Sequence, residues 1–367
     1  ARPVAAWNGG HPGEPVTLVE LPPGDGRRAP QLAEKAEAGS GEYTVMLLES
    51  AATTEFAARG WLAELPQEEF PVAGVDAAAL ASGTYRGTRY ALPLTRDVGV
   101  LLYRADLLDR YGIDPPTTWT QLKAACARVR AAAPGLDCYA GQLGPHPDLA
   151  GNVAEAIWSA GGELVTAAGQ PDVASVAAAS GLGRIAADVA GGLVPEASLD
   201  WSGDRARRAF GAGELVFLRD WWSARAAIEP TLSAQLGVAL RPGEAGPGVA
   251  TLGGRNLGIS AHARNTGTAA DFVEFLMAAD QQRSLARAGF GVPALTEVAA
   301  EADLREAVPA LATANTALAS ARPLPAVVEY RESVRAVREL CLPAIKGDRE
   351  PADALADLQS RLEELQG

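Results

Sequence analysis

Two acidic residues border strand-like runs and are placed to accept hydrogen bonds. Glu49 directly follows the apolar run 45–48, and Asp97 directly precedes the apolar run 98–103. Open α/β sheets bind ligands beyond the C-terminal ends of their strands, so we expect Glu49 at such an edge. Ionised carboxylates accept strong, charge-assisted hydrogen bonds. The alternatives are a solvated loop acid for Glu49 and a turn-capping residue for Asp97.

A pair of tryptophans, Trp221 and Trp222, follows the strand-like run 215–218. Neighbouring residues of an extended chain point to opposite sides, so we expect one of the two indoles to face a ligand, and we assign this role to Trp221. An exposed indole offers a large apolar face for stacking. A tryptophan in the core is the alternative.

Two glycines, a cation and an amide complete the set of candidate binding residues. Gly253 and Gly254 precede Arg255 in the segment 252–256. The missing side chains would let a ligand approach the backbone there, and a plain turn is the alternative. Asn152 begins a predicted helix, where its amide would either bind a hydroxyl group or cap the helix.

The sequence offers little for catalysis by metals, nucleophiles or dinucleotides. Its three histidines are not at metal-ligand spacing. The segment 258–262 lacks the closing glycine of a nucleophile elbow, and Pro293 obstructs the dinucleotide-like segment 289–294. We therefore expect no cofactor and no metal. A glycoside-processing enzyme that uses Glu49 and Asp97 as a carboxylate pair stays open as an alternative.

Three cysteines divide into a candidate pair and a single residue. Cys126 falls near the middle of a predicted helix, and Cys138 lies just past the Pro134-Gly135 stop. A disulfide between them would suit an oxidising compartment and would add about 2–3 kcal/mol, since the loop is short. Two small buried thiols are the alternative. We expect Cys341 to be a buried thiol on a helix.

Length and charge set the class of protein. At 367 residues the chain is longer than one core usually supports, so two domains are expected. The formal net charge of -13 disfavours contact with phosphate backbones and anionic lipid heads. Nucleic acid is therefore excluded as a partner. No apolar run reaches the length of a membrane span.

Strand-like and helix-like segments alternate through most of the chain. Strand-like runs at 16–21 and 43–48 flank a polar helical segment at 31–38. Gly87 predicts a tight turn within 85–90. This alternation predicts an α/β architecture with a largely parallel sheet.

A series of motifs resembles the family 1 extracellular solute-binding proteins of carbohydrate ABC importers. The leading motifs are GTYRGTRYALP at 83–93, DVGVLLYRADLL at 97–108 and PTTW at 116–119. Similar segments follow at 55–62, 210–218, 252–254, 289–293 and 322–323. The resemblance therefore covers nearly the whole chain, and within the family it is strongest to the trehalose/maltose-binding branch of actinobacteria.

The resemblance implies a periplasmic-binding-protein-like α/β fold with two discontinuous lobes and a ligand cleft at the hinge. Carried over to this chain, the N-terminal lobe comprises 1–104 and 260–292, and the C-terminal lobe comprises 105–259 and 293–367. Relatives begin with a strand ahead of the helix that we predict near 2–7. We therefore expect the first strand of the N-terminal lobe to lie upstream of the sequence given.

The resemblance also implies roles for single residues. Asp97 matches the position of a sugar-binding aspartate, and Glu49 stands where relatives commonly carry Asp. Trp221 matches a tryptophan that stacks on a sugar ring, with Trp222 beside it. Gly254 belongs to a loop that admits the ligand. Arg322 corresponds to an arginine that donates to the ligand, and a surface salt bridge is the alternative.

Several positions depart from the family pattern. Thr95 replaces a tyrosine, Arg255 replaces an aromatic residue, and His146-Pro147 replaces a Tyr-Glu pair. Trp221-Trp222-Ser223 stands in place of Trp-Pro-Tyr. Stacking surface is lost and polar groups are gained, which leaves the exact sugar open and makes a smaller or more acidic ligand an alternative.

By resemblance, the protein would capture a mono-, di- or oligosaccharide by lobe closure and deliver it to the transmembrane permease subunits of an ABC importer. A monomer is expected. Lysine occurs only at Lys35, Lys123 and Lys346, a bias typical of a GC-rich genome. An extracellular lipoprotein of a Gram-positive bacterium follows, with its signal and anchor outside this sequence. A binder of a non-sugar solute, such as a polyamine or peptide, is the alternative.

Overall fold

The computed structural model describes residues 2–21, 28–70 and 72–366. The α-helices are α1 (Arg2–Gly10), α2 (Arg28–Glu37), α3 (Thr53–Ala58), α4 (Ala77–Ala81), α5 (Ala105–Tyr111), α6 (Trp119–Ala132), α7 (Leu149–Ser159), α8 (Val176–Ala190), α9 (Gly203–Gly211), α10 (Arg225–Leu232), α11 (Thr266–Met277), α12 (Ala279–Arg287), α13 (Thr296–Ala300), α14 (Ala302–Ala307), α15 (Ala310–Leu318), α16 (Tyr330–Lys346) and α17 (Pro351–Gln366). Short 3₁₀ turns lie at Ser50–Ala52, Glu196–Asp200, Trp222–Ala224 and Ser233–Gln235.

The strands are β1 (Val45–Glu49), β2 (Thr84–Tyr85), β3 (Thr88–Arg89), β4 (Ala91–Arg104), β5 (Asp137–Ala140), β6 (Leu215–Trp221), β7 (Leu236–Ala239), β8 (Thr251–Ile259), β9 (Val292–Pro293) and β10 (Arg322–Pro323). Helices and strands alternate, which confirms the predicted α/β class. None of the helices in the described ranges is long and apolar enough to cross a bilayer.

The chain divides into two compact units. Unit 1 contains Ala1–Asp97, Gly253–Leu311 and Ala326–Val328, and unit 2 contains Val98–Leu252, Ala312–Pro325 and Glu329–Gly367. Both units are discontinuous in sequence, and β4 and β8 each continue from one unit into the other along the chain. The lobe boundaries carried over from the family stay a prediction, and their residues 1, 22–27, 71 and 367 lie outside the described ones.

In unit 1, the antiparallel pair of β1 and β8 runs from Val45↔Ile259 to Glu49↔Arg255. Strand β4 pairs antiparallel with β9 through Thr95↔Pro293. One core lies where α1 and α11 pack together, around Trp7, Phe272 and residues of β4 and β8. A second core lies between α2, α3 and β1 around Phe56. The pairing fixes Glu49 at the last position of β1, opposite Arg255.

In unit 2, β6 is the strand that positions the candidate residues. It pairs antiparallel with β4 and parallel with β5. Helices α7, α8 and α9 intervene between β5 and β6, as a parallel crossover requires. Helices α6, α7, α8, α16 and α17 enclose one continuous apolar core.

Local sequence signals explain several of these elements. Thr118 caps α6 in a capping box. Its hydroxyl oxygen accepts from the backbone N–H of Gln121 at 3.2 Å, and the backbone N–H of Thr118 donates to Gln121 Oε1 at 3.2 Å. Leu122, Cys126 and Val129 form the buried face of α6, as their spacing predicts. The turn between β2 and β3 has Gly87 at φ +84, which confirms the turn predicted there.

Two expectations were wrong. The segment 16–21 contains neither helix nor strand, because the backbone of Val16 bonds to the side-chain amide of Asn8 at 2.8 and 3.0 Å rather than to a neighbouring strand. The sheets are also not largely parallel. Among the strand pairings in the described ranges, β4 pairs antiparallel with β6, β7 and β9, whereas β5 with β6 and β8 with β10 are parallel.

A disulfide joins Cys126 on α6 to Cys138 on β5, with their Cα atoms 5.6 Å apart. The bond links a helix to the strand against which it packs, within the core of unit 2. Cys341 is buried on α16, and burial raises the pKa of its thiol to about 12. The disulfide therefore reinforces the sheet that carries Trp221.

Candidate functional site

The carboxyl ends of β5 and β6 define one edge of unit 2. The two strands are parallel, with Ala140 beside Leu218, so their C-terminal ends meet on the same side. Gln142 follows β5 by two residues, and Trp221 is the last residue of β6. The segment that leads into α7 brings Asp148 to the same edge. We call this group the β5–β6 edge.

The two tryptophans at the end of β6 have opposite environments. Trp221 is half-buried, its indole Nε1 donates to Asp148 Oδ1 at 3.2 Å, and the Arg219 guanidinium lies 4.9 Å from its ring centroid. Trp222 is fully buried, with the Arg225 guanidinium over its ring. A ligand contact through Trp222 requires an exposed ring, which the structure does not offer.

Asp148 is an ionised carboxylate at the edge. Its side chain is 25% exposed, and Oδ2 lies 3.2 Å from His146 Nδ1. Burial alone would raise the pKa of this carboxyl group. The hydrogen bond and charge of His146, the indole N–H of Trp221 and the charge of Arg207 outweigh burial and hold the pKa below its usual range.

The backbone of Trp221 has its own support. Its N–H donates to Asp220 Oδ1 at 2.7 Å. Asp220 is buried, and Arg207 donates to both of its carboxylate oxygens, from Nε to Oδ2 at 2.8 Å and from Nη2 to Oδ1 at 3.1 Å. The charge of Asp220 raises the pKa of Arg207, so the guanidinium stays charged in this bidentate pair.

Beneath the β5–β6 edge lies a buried ionic network centred on Glu155. Arg219 donates to both carboxylate oxygens at 2.6 and 2.9 Å, and Arg241 lies 3.0 Å from Oε2. The Thr251 N–H donates to Oε1 at 2.9 Å. Burial by itself would raise the pKa of Glu155, but the two guanidinium groups lower it. Glu155 is therefore ionised inside the protein.

Two further contacts bind this network to the sheet. Arg219 Nη1 donates to Gln142 Oε1 at 2.8 Å, which joins the network to the segment after β5. Gly99 lies on β4 directly opposite Trp221. A Cβ at Gly99 would lie 2.2 Å from Glu155 Oε1, so only glycine leaves space for the ion pair.

In unit 1, Glu49 and Arg255 form a partly exposed ion pair. Arg255 Nη1 lies 3.4 Å from Glu49 Oε1, and the two side chains are 30% and 44% exposed respectively. The two residues face each other across β1 and β8. The guanidinium and the carboxylate are therefore both available to an incoming polar group.

Gly254 is required by the protein itself. Its φ is +146°, and a Cβ would lie 2.2 Å from the Thr95 carbonyl oxygen. Gly291 approaches the side chain of Thr95, where a Cβ would lie 2.6 Å from Thr95 Cβ. Close packing on β4 is therefore a sufficient reason for Gly254. Asp97 lies on the same strand, two residues beyond Thr95, and is half-buried.

Arg322 and Asn152 both have partners within unit 2. Arg322 forms an exposed ion pair with Glu163, and its guanidinium lies 4.9 Å from the ring of Trp158. The hydrogen bond from Arg322 lowers the pKa of Glu163. Asn152 is buried, and its Nδ2 donates to the Asp148 carbonyl at 3.0 Å. Asn152 lies inside α7 rather than at its N-cap, so the predicted capping alternative was wrong.

The structure thus groups the predicted residues within each unit. Glu49 pairs with Arg255 in unit 1, and Asn152 and Trp221 both contact Asp148 in unit 2. Sequence reasoning missed Asp148 and the ions of the network. Charged residues inside the apolar strand β6 were the available signal. In the described ranges no group of three His, Cys, Asp or Glu residues is arranged to hold a metal ion.

Comparison with known proteins gives two consistent findings. The family model described as bacterial extracellular solute-binding protein matches residues 1–283. A Deinococcus radiodurans protein described as a probable ABC transporter-binding protein is 30% identical in an alignment of 318 residues that covers 82% of this chain and 75% of that relative.

Three solved structures share the fold. Maltose-bound T. maritima MalE3 has a TM-score of 0.91 at 26% identity, covering 99% of this chain and 95% of that one. The GacH receptor of Streptomyces glaucescens, described unliganded and with acarbose, has 0.89 at 22%, covering 100% and 94%. A Thermotoga lettingae solute-binding protein bound with α-D-tagatose has 0.84 at 19%, covering 92% and 88%.

Proposed function

We propose that this protein, which belongs to the family of bacterial extracellular solute-binding proteins, captures a carbohydrate as a component of an ABC transporter. The observation that carries this proposal is the half-exposed indole of Trp221 at the C-terminal edge of two parallel strands, surrounded by charged side chains. The maltose found in a structure that is 26% identical to this chain supports the same ligand class.

The chemistry of the edge suits a sugar. A pyranose presents a flat face of C–H bonds, which gains from burial against an indole without requiring a charge. Its hydroxyl groups bond to ionised side chains with about 1.5–3 kcal/mol each. Trp221 supplies the apolar face in unit 2. For Glu49, Asp97 and Arg255 of unit 1, contact with the ligand stays a prediction from the family resemblance.

Finer features of the proposal rest on the family resemblance. We place the ligand among trehalose, maltose and shorter or more acidic sugars, because Arg255 stands where relatives carry an aromatic residue. The protein would act as a monomer, anchored as a lipoprotein outside a Gram-positive actinobacterial cell. Capture by closure of the predicted lobes, and a donor role for Arg322, stay predictions.

Calorimetry with a panel of mono- and disaccharides, including maltose, trehalose and tagatose, tests the proposal. We expect saturable binding of at least one sugar, and Trp221→Ala should weaken it by about 30-fold or more, as expected when a stacking anchor is lost. The thermal midpoint, measured in parallel, should change little because the ring is half-exposed.

Tyr111→Ala is the matched control. Tyr111 is also half-buried in unit 2 and is the last residue of α5. Helix α5 follows the C-terminal end of β4, whereas Gly99, the residue of β4 that pairs with Trp221, lies nearer the middle of that strand. Its affinity should equal that of the wild type. If the protein binds a polyamine or a peptide and none of the sugars, its solute is not a carbohydrate. Turnover of the sugar during the titration would favour a glycoside-processing enzyme instead.

A further inference from the structure

We propose that Asp148 is a positioning residue, which fixes the indole plane of Trp221 before any ligand arrives. The inference rests on the proposed function, because it concerns the surface on which Trp221 would stack a sugar. It assigns part of the binding strength of that surface to a carboxylate that the ligand need not touch.

The indole is held by a hydrogen bond from its N–H group and by two groups that lie beside the ring. Its Nε1 donates to Asp148 Oδ1 at 3.2 Å, and the Arg219 guanidinium lies 4.9 Å from the ring centroid. A Cβ on Gly151 of α7 would lie 4.0 Å from Trp221 Cζ2, so the helix flanks the ring as well. Since these contacts lie on different parts of the ring, a change of rotamer would break several of them together.

Each of the groups that hold the indole is itself held. Asp148 is the N-cap residue of α7, and its second oxygen lies 3.2 Å from His146 Nδ1. Arg219 is fixed by Glu155 and Gln142. Asp148 alone links the ring nitrogen to this support, since the indole has one N–H group and donates it here. Because that donor is already used, Trp221 would offer a ligand its ring face.

Fixing the ring in advance spares the ligand the entropy of ordering it. Immobilising one side chain on binding costs an amount that corresponds to about 3- to 10-fold in affinity. We therefore expect Asp148→Ala to weaken maltose binding by that factor. Asp148→Asn should restore affinity to within about twofold, because the amide oxygen still accepts from Nε1.

A readout that needs no ligand tests the anchor directly. The indole N–H signals of the 15N-labelled protein include one that disappears in Trp221→Phe, which assigns it. In Asp148→Ala this signal should move upfield and exchange faster with solvent, while Asp148→Asn leaves it close to the wild-type position. An unchanged signal in Asp148→Ala overturns the inference, whether or not maltose binds.

Maltose titrations of Asp148→Ala, Trp221→Ala and the double variant separate the two proposals. If Trp221→Ala leaves the affinity unchanged, the role of Trp221 in the proposed function fails. If Trp221→Ala abolishes binding and Asp148→Ala does not weaken it, the positioning role fails. A loss from Asp148→Ala that persists in the Trp221→Ala background, measured with millimolar maltose, would mean that Asp148 binds the sugar itself.

A second variant covers the case in which Asp148→Ala does not fold, which near-ultraviolet circular dichroism would reveal. Trp221→Phe keeps an aromatic face but has no N–H group to donate. It should therefore lose affinity for maltose by a similar 3- to 10-fold, and adding Asp148→Asn to it should cause no further loss. An additional loss in that pair of variants contradicts the inference.

Discussion

The two units support their candidate binding residues in different ways. In unit 2, Trp221 lies beside a buried ion pair, in which the side chains of Glu155 and Arg219 are 0% and 1% exposed. In unit 1, Glu49 and Arg255 are partly exposed and joined by one contact of 3.4 Å. Unit 2 thus offers a fixed aromatic surface, and unit 1 offers polar groups that are able to adjust.

The difference matters because buried and exposed ion pairs respond differently to the loss of a partner. Removing one partner of a buried pair leaves an uncompensated charge and costs about 3–5 kcal/mol. Exposed pairs contribute about 0–1 kcal/mol, since water and salt screen them. Stability and the position of Trp221 are therefore coupled in unit 2, whereas the Glu49–Arg255 pair is free to change with little effect on folding.

The largest expected effect comes from Glu155→Gln. The amide keeps the shape but leaves Arg219 and Arg241 buried without their shared anion. We expect the free energy of unfolding, from urea titration followed by circular dichroism, to fall by about 3–5 kcal/mol. Glu214→Gln is the matched control, because Glu214 pairs with Arg205 on the exposed surface of the same unit. Equal, small losses in both variants would remove the contrast between the units.

The sequence predicted the local elements of this molecule better than the pairing between them. The cap of α6, the turn at Gly87 and the position of Glu49 at the end of β1 follow from residue patterns within a few positions. The direction of the partners of β4 depends on segments more than 100 residues apart, such as β4 and β6. The alternation of helices and strands carries no information about that direction.

The same distinction applies to the candidate site. A strand followed by two tryptophans indicated that one indole would be exposed, because side chains alternate along a strand. The Glu155 network joins α7, β6 and β8, and single charges within apolar runs do not show which partner neutralises them. Asp148 was missed for a related reason: an acidic residue before a helix is also typical of an ordinary N-cap.

An intermediate effect is expected from Gly254→Ala in unit 1. The added methyl group would meet the Thr95 carbonyl oxygen, and the backbone would have to keep φ +146°. We expect a loss of about 1–3 kcal/mol in the free energy of unfolding, because few side chains tolerate that conformation. Gly13→Ala is the control, since nothing lies within 4 Å of its added carbon. A neutral Gly254→Ala would show that this strand of unit 1 adjusts as readily as its ion pair.

The smallest effect on stability is expected from Glu49→Gln, and it sharpens the comparison most. The pair with Arg255 is partly exposed, so the free energy of unfolding should change by less than about 1 kcal/mol. If Glu49 accepts a hydroxyl hydrogen bond, calorimetry with the best sugar of the panel should show a loss of about 10-fold or more, as for a charge-assisted bond. Lost affinity at unchanged stability is the pattern expected of a binding residue on an adaptable surface. Lost stability at unchanged affinity would instead make Glu49 a structural partner of Arg255.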